Sequence, residues 1–477
     1  MRENEVYTAS NRAIYSWGFG QVGLQCVYFS FAQLMQIYTT PTGFALSPVL
    51  VSWVIVLVRA VDSFADPLFA NWSDNFHSRW GRRKPFLLAG GICGAFFVMA
   101  VWWTNPGWTE PIKFAYLLFT AVMLCGAWGL YALAHGAMGY ELTDDYHGRS
   151  RLMAIKGLFT GITAIALQWV HWLTMRPFFG GKVTGIRWVS IGLAAMVLLS
   201  TFAVLRFTSE RFATINRNRI KLLPAIRITL RNRPFLLLLL MMLTQRLGTA
   251  LFYGLLFYVN VYYVCQGNES LASKIAGITG TTSALLGLTV LPFIQRISRR
   301  IGKRHGVMLG AGALAASALL VPFCLTPKMP YLQIVLWAVL GPLTTVGQTL
   351  TEAIFPDICD IDELEGGLRR EGMFVAVSSF LVKFEAALCI LLVGYLIQFA
   401  GFQPGQMMQS PEAVLHLRWI AFTPYITCSL LALLFAWRFP ITEKMMAEVR
   451  QKLDARHAAA KEAAASESAA VQVELNR

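Results

Sequence analysis

Four stretches of the chain contain no Asp, Glu, Lys or Arg: Phe86–Trp103, Trp188–Leu205, Gly306–Leu325 and Trp419–Trp437. Each is close to the ~20 residues that carry a helix across ~30 Å of hydrocarbon. Inside a bilayer the backbone must satisfy its own hydrogen bonds, which leaves helices and closed barrels, and unbroken apolar runs of this length are helices. The same pattern predicts helices over 13–38, 46–75, 85–104, 112–142, 152–176, 186–207, 234–265, 272–297, 306–325, 331–356, 372–400 and 415–439. The expected fold class is an all-α membrane protein with twelve transmembrane helices.

The connections fall into two kinds. Thr39–Ser47 and Thr104–Pro111 lack basic residues, whereas the alternate connections are strongly basic. Arg79, Arg82, Arg83 and Lys84 follow the second helix, and Arg149 and Arg151 the fourth. Arg296, Arg299, Arg300, Lys303 and Arg304 follow the eighth, and 206–233 carries eight Lys or Arg. Cytoplasmic loops are the ones enriched in Lys and Arg, so these connections and both termini are expected in the cytoplasm, in a bacterial-type inner membrane. Related loops recur six helices apart: Ser78-Arg-Trp-Gly-Arg-Arg-Lys-Pro against Ser298-Arg-Arg-Ile-Gly-Lys-Arg-His, and Tyr140-Glu-Leu-Thr-Asp-Asp against Phe355-Pro-Asp-Ile-Cys-Asp. This duplication predicts two six-helix halves with a cavity between them. The boundaries are 1–207 and 234–439 for the halves, 208–233 for a cytoplasmic linker and 440–477 for a tail. Glu443–Leu475, rich in Ala, Glu, Lys and Arg, reads as a solvated helix or frayed segment.

Composition agrees with this class. The 477 residues are 56% hydrophobic and only 14% charged, where a soluble domain carries roughly a quarter charged. The net charge of +15 sits in the connections, so it implies a membrane surface and no nucleic-acid partner. Eight cysteines, among them Cys26, Cys125, Cys265 and Cys389, lack paired spacing and read as packing residues. No short apolar core with a cleavage site begins the chain, so no signal peptide is expected. Neither a nucleophile motif nor a phosphate-cradling loop nor metal-ligand spacing is present, and an enzyme is not expected.

Charges inside the predicted spans carry the candidate chemistry, because an ionisable group in hydrocarbon is costly and marks function by default. Arg59, Asp62 and Asp66 are spaced i, i+3, i+7 and share one face of the second helix. Two neighbouring carboxylates resist double ionisation while an adjacent arginine favours their charged forms, so the cluster suits a proton or a metal cation. Pro67 frees the carbonyl of Ser63 as a further ligand. A purely structural Arg–Asp–Asp network is the alternative. Lys383 is the second intramembrane charge, with Glu385 two residues on and facing elsewhere. Arg246 could bind an acidic substrate or pair with a carboxylate.

Several blocks resemble the glycoside–pentoside–hexuronide:cation symporters, the branch of the major facilitator superfamily that includes melibiose permease. They are Arg59-Ala-Val-Asp-Ser-Phe-Ala-Asp-Pro with Trp72-Ser-Asp, Ser78-Arg-Trp-Gly-Arg-Arg-Lys-Pro-Phe, and Gly139-Tyr-Glu-Leu-Thr-Asp-Asp-Tyr-His. Asp357-Ile-Cys-Asp-Ile-Asp-Glu-Leu and Arg369-Arg-Glu-Gly-Met, with Lys383 beyond, complete the set. The resemblance implies a major facilitator fold and cation-driven import of a sugar or glycoside, with a coupling ion (H+ or Na+) and no cofactor. It implies that Asp62 and Asp66 hold the cation and that Lys383, with Arg59, links cation to cargo. This chain departs from the pattern at Ala65 and Gly129, where neutral oxygen ligands are expected, so a proton is favoured over sodium. The positions matching the family's sugar-binding aspartates are Val22 and Ala132, and tryptophans are replaced by Gly136 and Gln348. Loss of two carboxylates, with Lys156 and Arg246 present, favours an anionic ligand such as a uronide.

Candidate substrate liners are Gln21, Gln25, Tyr28, Tyr131, His135, Lys156, Arg246, Gln348 and Ser379, with Gln168, Trp169, His171 and Trp172 as further polar or aromatic candidates. Asp74, Arg82, Arg83, Glu141, Asp144, Arg149 and Arg151 suit ion pairs that close the cytoplasmic side, with Asp357, Asp360, Arg369 and Arg370 as second-half counterparts. The expected partners are a small-molecule substrate and the bilayer, and the expected working unit is a monomer. The open alternatives are a carrier of an amphiphile or other non-sugar solute, and a non-transporting sensor or assembly protein.

Overall fold

A computed structural model describes residues 10–76, 78–143, 146–208, 233–366, 371–440, 444–456 and 458. Its elements are α1 (Asn11–Tyr38), α2 (Pro48–Asn75), α3 (Lys84–Ala100), α4 (Glu110–Glu141), α5 (Tyr146–Gln168), the short α6 (Val170–Thr174) and α7 (Lys182–Phe207). There follow α8 (Arg233–Tyr258), α9 (Glu269–Cys324), α10 (Leu332–Gly366), α11 (Glu371–Phe399) and α12 (Pro411–Trp437). Local sequence sets several starts. The side chains of Ser10, Asn268 and Ser410 accept from the backbone N–H three residues on, satisfying a donor the helix leaves unpaired. Proline begins α2, α3, α4 and α12, where its missing N–H costs nothing.

Two predicted helices, 272–297 and 306–325, run together as α9. The chain turns between its limbs at Gly302, whose φ of 74° and ψ of 160° only glycine adopts without strain. At the end of α8, Val259–Val264 widens into a π-helical turn. Among the described residues eight helices are long and apolar enough to cross a membrane, and α3 is apolar but shorter. Large side chains on their outer faces, such as Phe96, Phe119, Phe202 and Leu319, are exposed, as a lipid-facing surface requires.

Helices α1–α7 pack chiefly on one another, as do α8–α12, and the two groups meet along α2 with α11 and along α5 and α6 with the first limb of α9. At the first seam a Cβ on Gly394 would lie 1.8 Å from Ser52 Oγ and 2.8 Å from the Pro48 carbonyl, so α11 and α2 touch backbone to backbone. The end bearing the basic connections is called the basic end below, and the opposite one the far end. The predicted linker lies almost entirely outside the described residues. The tail corrects the reading of a solvated segment over 444–456. There the chain is helical and buries Met446, Val449 and Leu453, one face at i, i+3, i+7, in the same apolar cluster as residues of α8, α10 and α12. Arg450 Nη2 bonds Asp357 Oδ1 at 3.0 Å and Arg456 bonds the Glu363 carbonyl at 3.3 Å.

Candidate functional site

Between the two groups lies a cavity of about 580 Å³ walled by α1 and α2 on one side and α8, α10 and α11 on the other. Phe31, Met35, Ile55 and Val393 supply apolar wall, and Tyr28, Gln36, Arg59, Gln245, Arg246, Gln348 and Glu385 supply polar groups. Each group of helices contributes one arginine with a buried carboxylate behind it. Arg59 Nη1 is 3.8 Å from Asp62 Oδ2, and the Asp62 side chain is 6% exposed. Arg246 Nε is 3.6 Å from Glu385 Oε2, and Glu385 is 10% exposed. Each carboxylate also accepts a hydrogen bond from a thiol: Cys125 to Asp62 at 3.4 Å and Cys389 to Glu385 at 3.0 Å. These cysteines do more than fill space.

A second polar cluster seals the far end. Glu269, in the first turn of α9, receives the Lys182 ammonium from the start of α7 and the Thr42 hydroxyl at 2.6 Å from the α1–α2 connection. His171 Nε2 on α6 is 3.2 Å from the same carboxylate, and its Nδ1 is 3.1 Å from Gln33 Oε1 on α1. Lys182 also donates to Thr40 Oγ1 at 2.6 Å. Burial pushes the Glu269 carboxyl up, but the Lys182 ammonium and the His171 hydrogen bond outweigh it and bring the pKa down to about 2. Further bonds tie the groups together here: Arg176 to Ser270 at 2.9 Å, Trp169 Nε1 to Thr281 at 3.0 Å, and Thr39 with Tyr258 at 2.6 Å.

Of the residues singled out from sequence, Tyr28, Arg59, Arg246 and Gln348 converge on the cavity. Asp62 sits one step behind Arg59, and Ser63 is exposed with its hydroxyl on the Arg59 carbonyl. The Asp66 side chain lies outside the described residues, as do those of Asp74, Glu141, Asp144, Arg149, Arg369 and Arg370. Arg82 is half-buried and Arg83 buried at the start of α3. Several expected liners are elsewhere. His135 stacks on Trp17 at 4.9 Å and bonds its carbonyl, and Tyr131 bonds the Gly20 carbonyl, so both pack α4 onto α1. Gln21, Gln25, Lys156, Ser379 and Lys383 are not among the residues that border the cavity, and Lys383 is exposed. On α1 the cavity begins at Tyr28, seven residues or roughly 10 Å beyond Gln21 toward the far end. Asp357, expected to pair with loop arginines, is held by Lys303 at 2.6 Å and Arg450 instead, with Asp360 4.0 Å from Arg450. Sequence reasoning named Glu385 but set it apart from the site, and it missed Glu269 and Lys182. The latter two were discernible as opposite charges at two helix starts on the same predicted side.

The family described as MFS/sugar transport protein matches residues 16–443. The chain is similar to a glucuronide carrier protein homolog of Escherichia coli (strain K12), 26% identical over 93% of this chain and 96% of that one. It is 25% identical to an isoprimeverose transporter of Lactiplantibacillus pentosus, over 88% and 87% of the two chains. Among solved structures it resembles the nucleoside transporter NupG, with a TM-score of 0.60 at 16% identity over 90% of this chain and 98% of that one, a likeness of fold. With two helix groups around a central cavity and a family match over most of its length, the chain belongs to the MFS/sugar transport family of multi-pass membrane transporters.

Proposed function

We propose that the chain is an alternating-access symporter that moves a uronide-type sugar together with a proton. The observation that carries this reading is the presentation of two guanidiniums, Arg59 and Arg246, to one cavity from opposite helix groups. Such a pair suits a hydroxylated ring bearing a carboxylate, since arginine binds carboxylates in a bidentate fork. The relative named as a glucuronide carrier homolog supports the same class.

A proton is favoured because α4 presents the Cys125 thiol to Asp62, at 3.4 Å. Sodium requires several hard oxygen ligands, and a thiol is a poor one. Asp62 and Asp66 would carry the proton, with Arg59 and Lys383 relating its occupancy to that of the cargo. Twelve spans divide into halves at 1–207 and 234–439, joined by 208–233, with both termini and the 440–477 tail cytoplasmic. On that topology the far end is periplasmic, and the Glu269 cluster holds it shut while the cavity is reached from the cytoplasm. The working unit is a monomer.

Uptake into proteoliposomes tests this. Methyl β-D-glucuronide should accumulate against its gradient when the lumen is made alkaline, and a sodium gradient alone should not drive it. Accumulation of only methyl β-D-glucoside, or a strict sodium requirement, would overturn the reading.

A further inference from the structure

The pair on the second helix group, Arg246 with Glu385, is built unlike a structural salt bridge. The contact is made by Nε, the inner edge of the guanidinium, at 3.6 Å, beyond hydrogen-bond length. Among the described residues this is the one charge partner Arg246 shows, and half its side chain is exposed to the cavity. The outer fork of two amino groups, the part that grips a carboxylate in two parallel bonds, is therefore not spent on Glu385. Glu385 in turn is buried, with Oε1 committed to the Cys389 thiol and Oε2 turned to Arg246.

We propose that the Arg246 fork anchors the carboxylate of a uronide and that Glu385 is the proton acceptor linked to its arrival. The inference rests on the uronide reading above and adds to it a second coupling residue, on α11. When the site is empty, guanidinium and carboxylate balance each other. An arriving carboxylate on the fork puts two negative groups around one positive group in a poorly solvated cavity, where like charges resist joint ionisation. Glu385 Oε2 takes one proton from the water through which the substrate entered, and the site returns to neutrality. On release the substrate anion and that proton leave on the same side, and the carboxylate falls back toward Arg246. The anion and the Glu385 proton thus travel one to one, beside the proton held at Asp62 and Asp66.

The surroundings leave Glu385 as the group that responds. From α2 it is faced across the cavity by Arg59, whose own counter-charge is Asp62. From α8 come Arg246 and Tyr253, and from α10 the uncharged Gln348 and Thr351. On α12, Cys428 lies beside Cys389, and on α11 itself the exposed Lys383 is two residues away.

The test is proton uptake on binding, in weakly buffered detergent solution with a pH-sensitive dye, alongside calorimetry with methyl β-D-glucuronide. Wild type should take up about one proton per bound glucuronide, and its Kd should rise about tenfold per pH unit over the range in which that proton is taken up. Glu385→Gln should bind the glucuronide with no proton uptake and a flat pH profile. Arg246→Lys, which keeps the charge and loses the fork, should weaken binding at least tenfold. Unchanged stoichiometry in Glu385→Gln overturns the assignment of Glu385. Failure of wild type to bind the glucuronide overturns the substrate class, and the inference falls with it.

Discussion

Glu269→Gln is the perturbation with the clearest expected consequence. Glu269 sits where three elements of the first helix group converge on one turn of the second, and on the proposed alternating-access cycle its contacts exist only while the far end is shut. The side chains of Glu269, Lys182 and His171 are 10%, 3% and 7% exposed, so their charges interact in a poorly screened setting. Removing one member of a buried pair costs about 3–5 kcal/mol, because its partner is left uncompensated. Glutamine retains an acceptor for Thr42 and for the Lys182 ammonium, which reduces the loss to roughly 2–3 kcal/mol. An open far end lets Lys182 and the carboxylate return to water, so nearly all of that difference appears in the closed-to-open equilibrium. The population of the open form should rise roughly 30- to 150-fold.

The assay is a distance measurement between spin labels at Asn105, in the α3–α4 connection, and Met407, in the α11–α12 connection, both exposed at the far end. In a background with the native cysteines replaced, the parent should give one dominant short distance. Glu269→Gln should add a longer one of comparable weight, and Lys182→Gln should do likewise. The double variant should open no further than the stronger single one, since partners in one network are not additive. The charge of Glu269 also has a sign in pH. Its carboxyl is depressed to about 2, so its contribution is present above the solvent-exposed value and is lost only as pH falls through about 2. Between roughly pH 5 and 8 this carboxylate stays charged, and its contribution to closure should not titrate. Label distances in Glu269→Gln that superimpose on those of the parent would refute the reasoning outright.

The remaining expectations concern other contacts. Gly394→Ala places a Cβ 1.8 Å from Ser52 Oγ and 2.8 Å from backbone, forcing α2 and α11 apart. Uptake should fall at least tenfold with normal membrane insertion, and the Ser52→Ala, Gly394→Ala double variant should recover only part, because the Pro48 carbonyl remains. Asp62→Asn removes the counter-charge of Arg59 and the acceptor of the Cys125 thiol. Uphill accumulation should disappear while equilibrium exchange of glucuronide persists, and wild-type accumulation would remove Asp62 from coupling. Arg450→Ala leaves Asp357 with Lys303 but releases the tail helix. It should cost about 1–3 kcal/mol and lower the detergent melting temperature by a few degrees, with Met446→Asp costing more. Equal melting of both variants and wild type would mean the tail contributes no stability.

How much of this was legible depended on distance along the chain. The span from Trp419 to Trp437 and the other charge-free runs declared themselves, because lipid imposes its demand on every residue of a helix. The i, i+3, i+7 spacing placed Arg59 and Asp62 on one face correctly. Spacing also put Glu385 and Lys383 on opposite faces of α11, but period alone does not say which face meets a cavity. Only the packing of α11 against α2 and α8 decides that, in favour of Glu385. Lys182 and Glu269 are 87 residues apart, and nothing local joins them. The tail stripe of Met446, Val449 and Leu453 was present in the sequence but diluted among alanine and charged residues. His135 misled for a physical reason: a histidine inside a span suggests function, yet stacking on Trp17 and a bond to its carbonyl satisfy it within the packing.

Comparing α1 with α3 shows where the working groups are to be sought. Helix α3 is strongly apolar and easy to find, and it places no side chain on the cavity. Helix α1 is 28 residues long and described throughout, yet it is not among the eight helices apolar enough to qualify as spans. Gln21, Gln25, Gln33 and Gln36 lower its hydropathy, and two of them have work at the group interface. Gln36 borders the cavity and Gln33 meets His171 in the far-end cluster, while Tyr28 on the same helix faces the cavity and Thr39 just beyond it bonds Tyr258. A polar side chain in hydrocarbon is tolerated only where protein or trapped water takes its hydrogen bonds. A helix carrying several of them is therefore confined to the interior, where protein and cavity water can take those bonds. Weak hydropathy in an otherwise apolar chain marks, in this protein, a helix that lines the cavity and the far-end cluster.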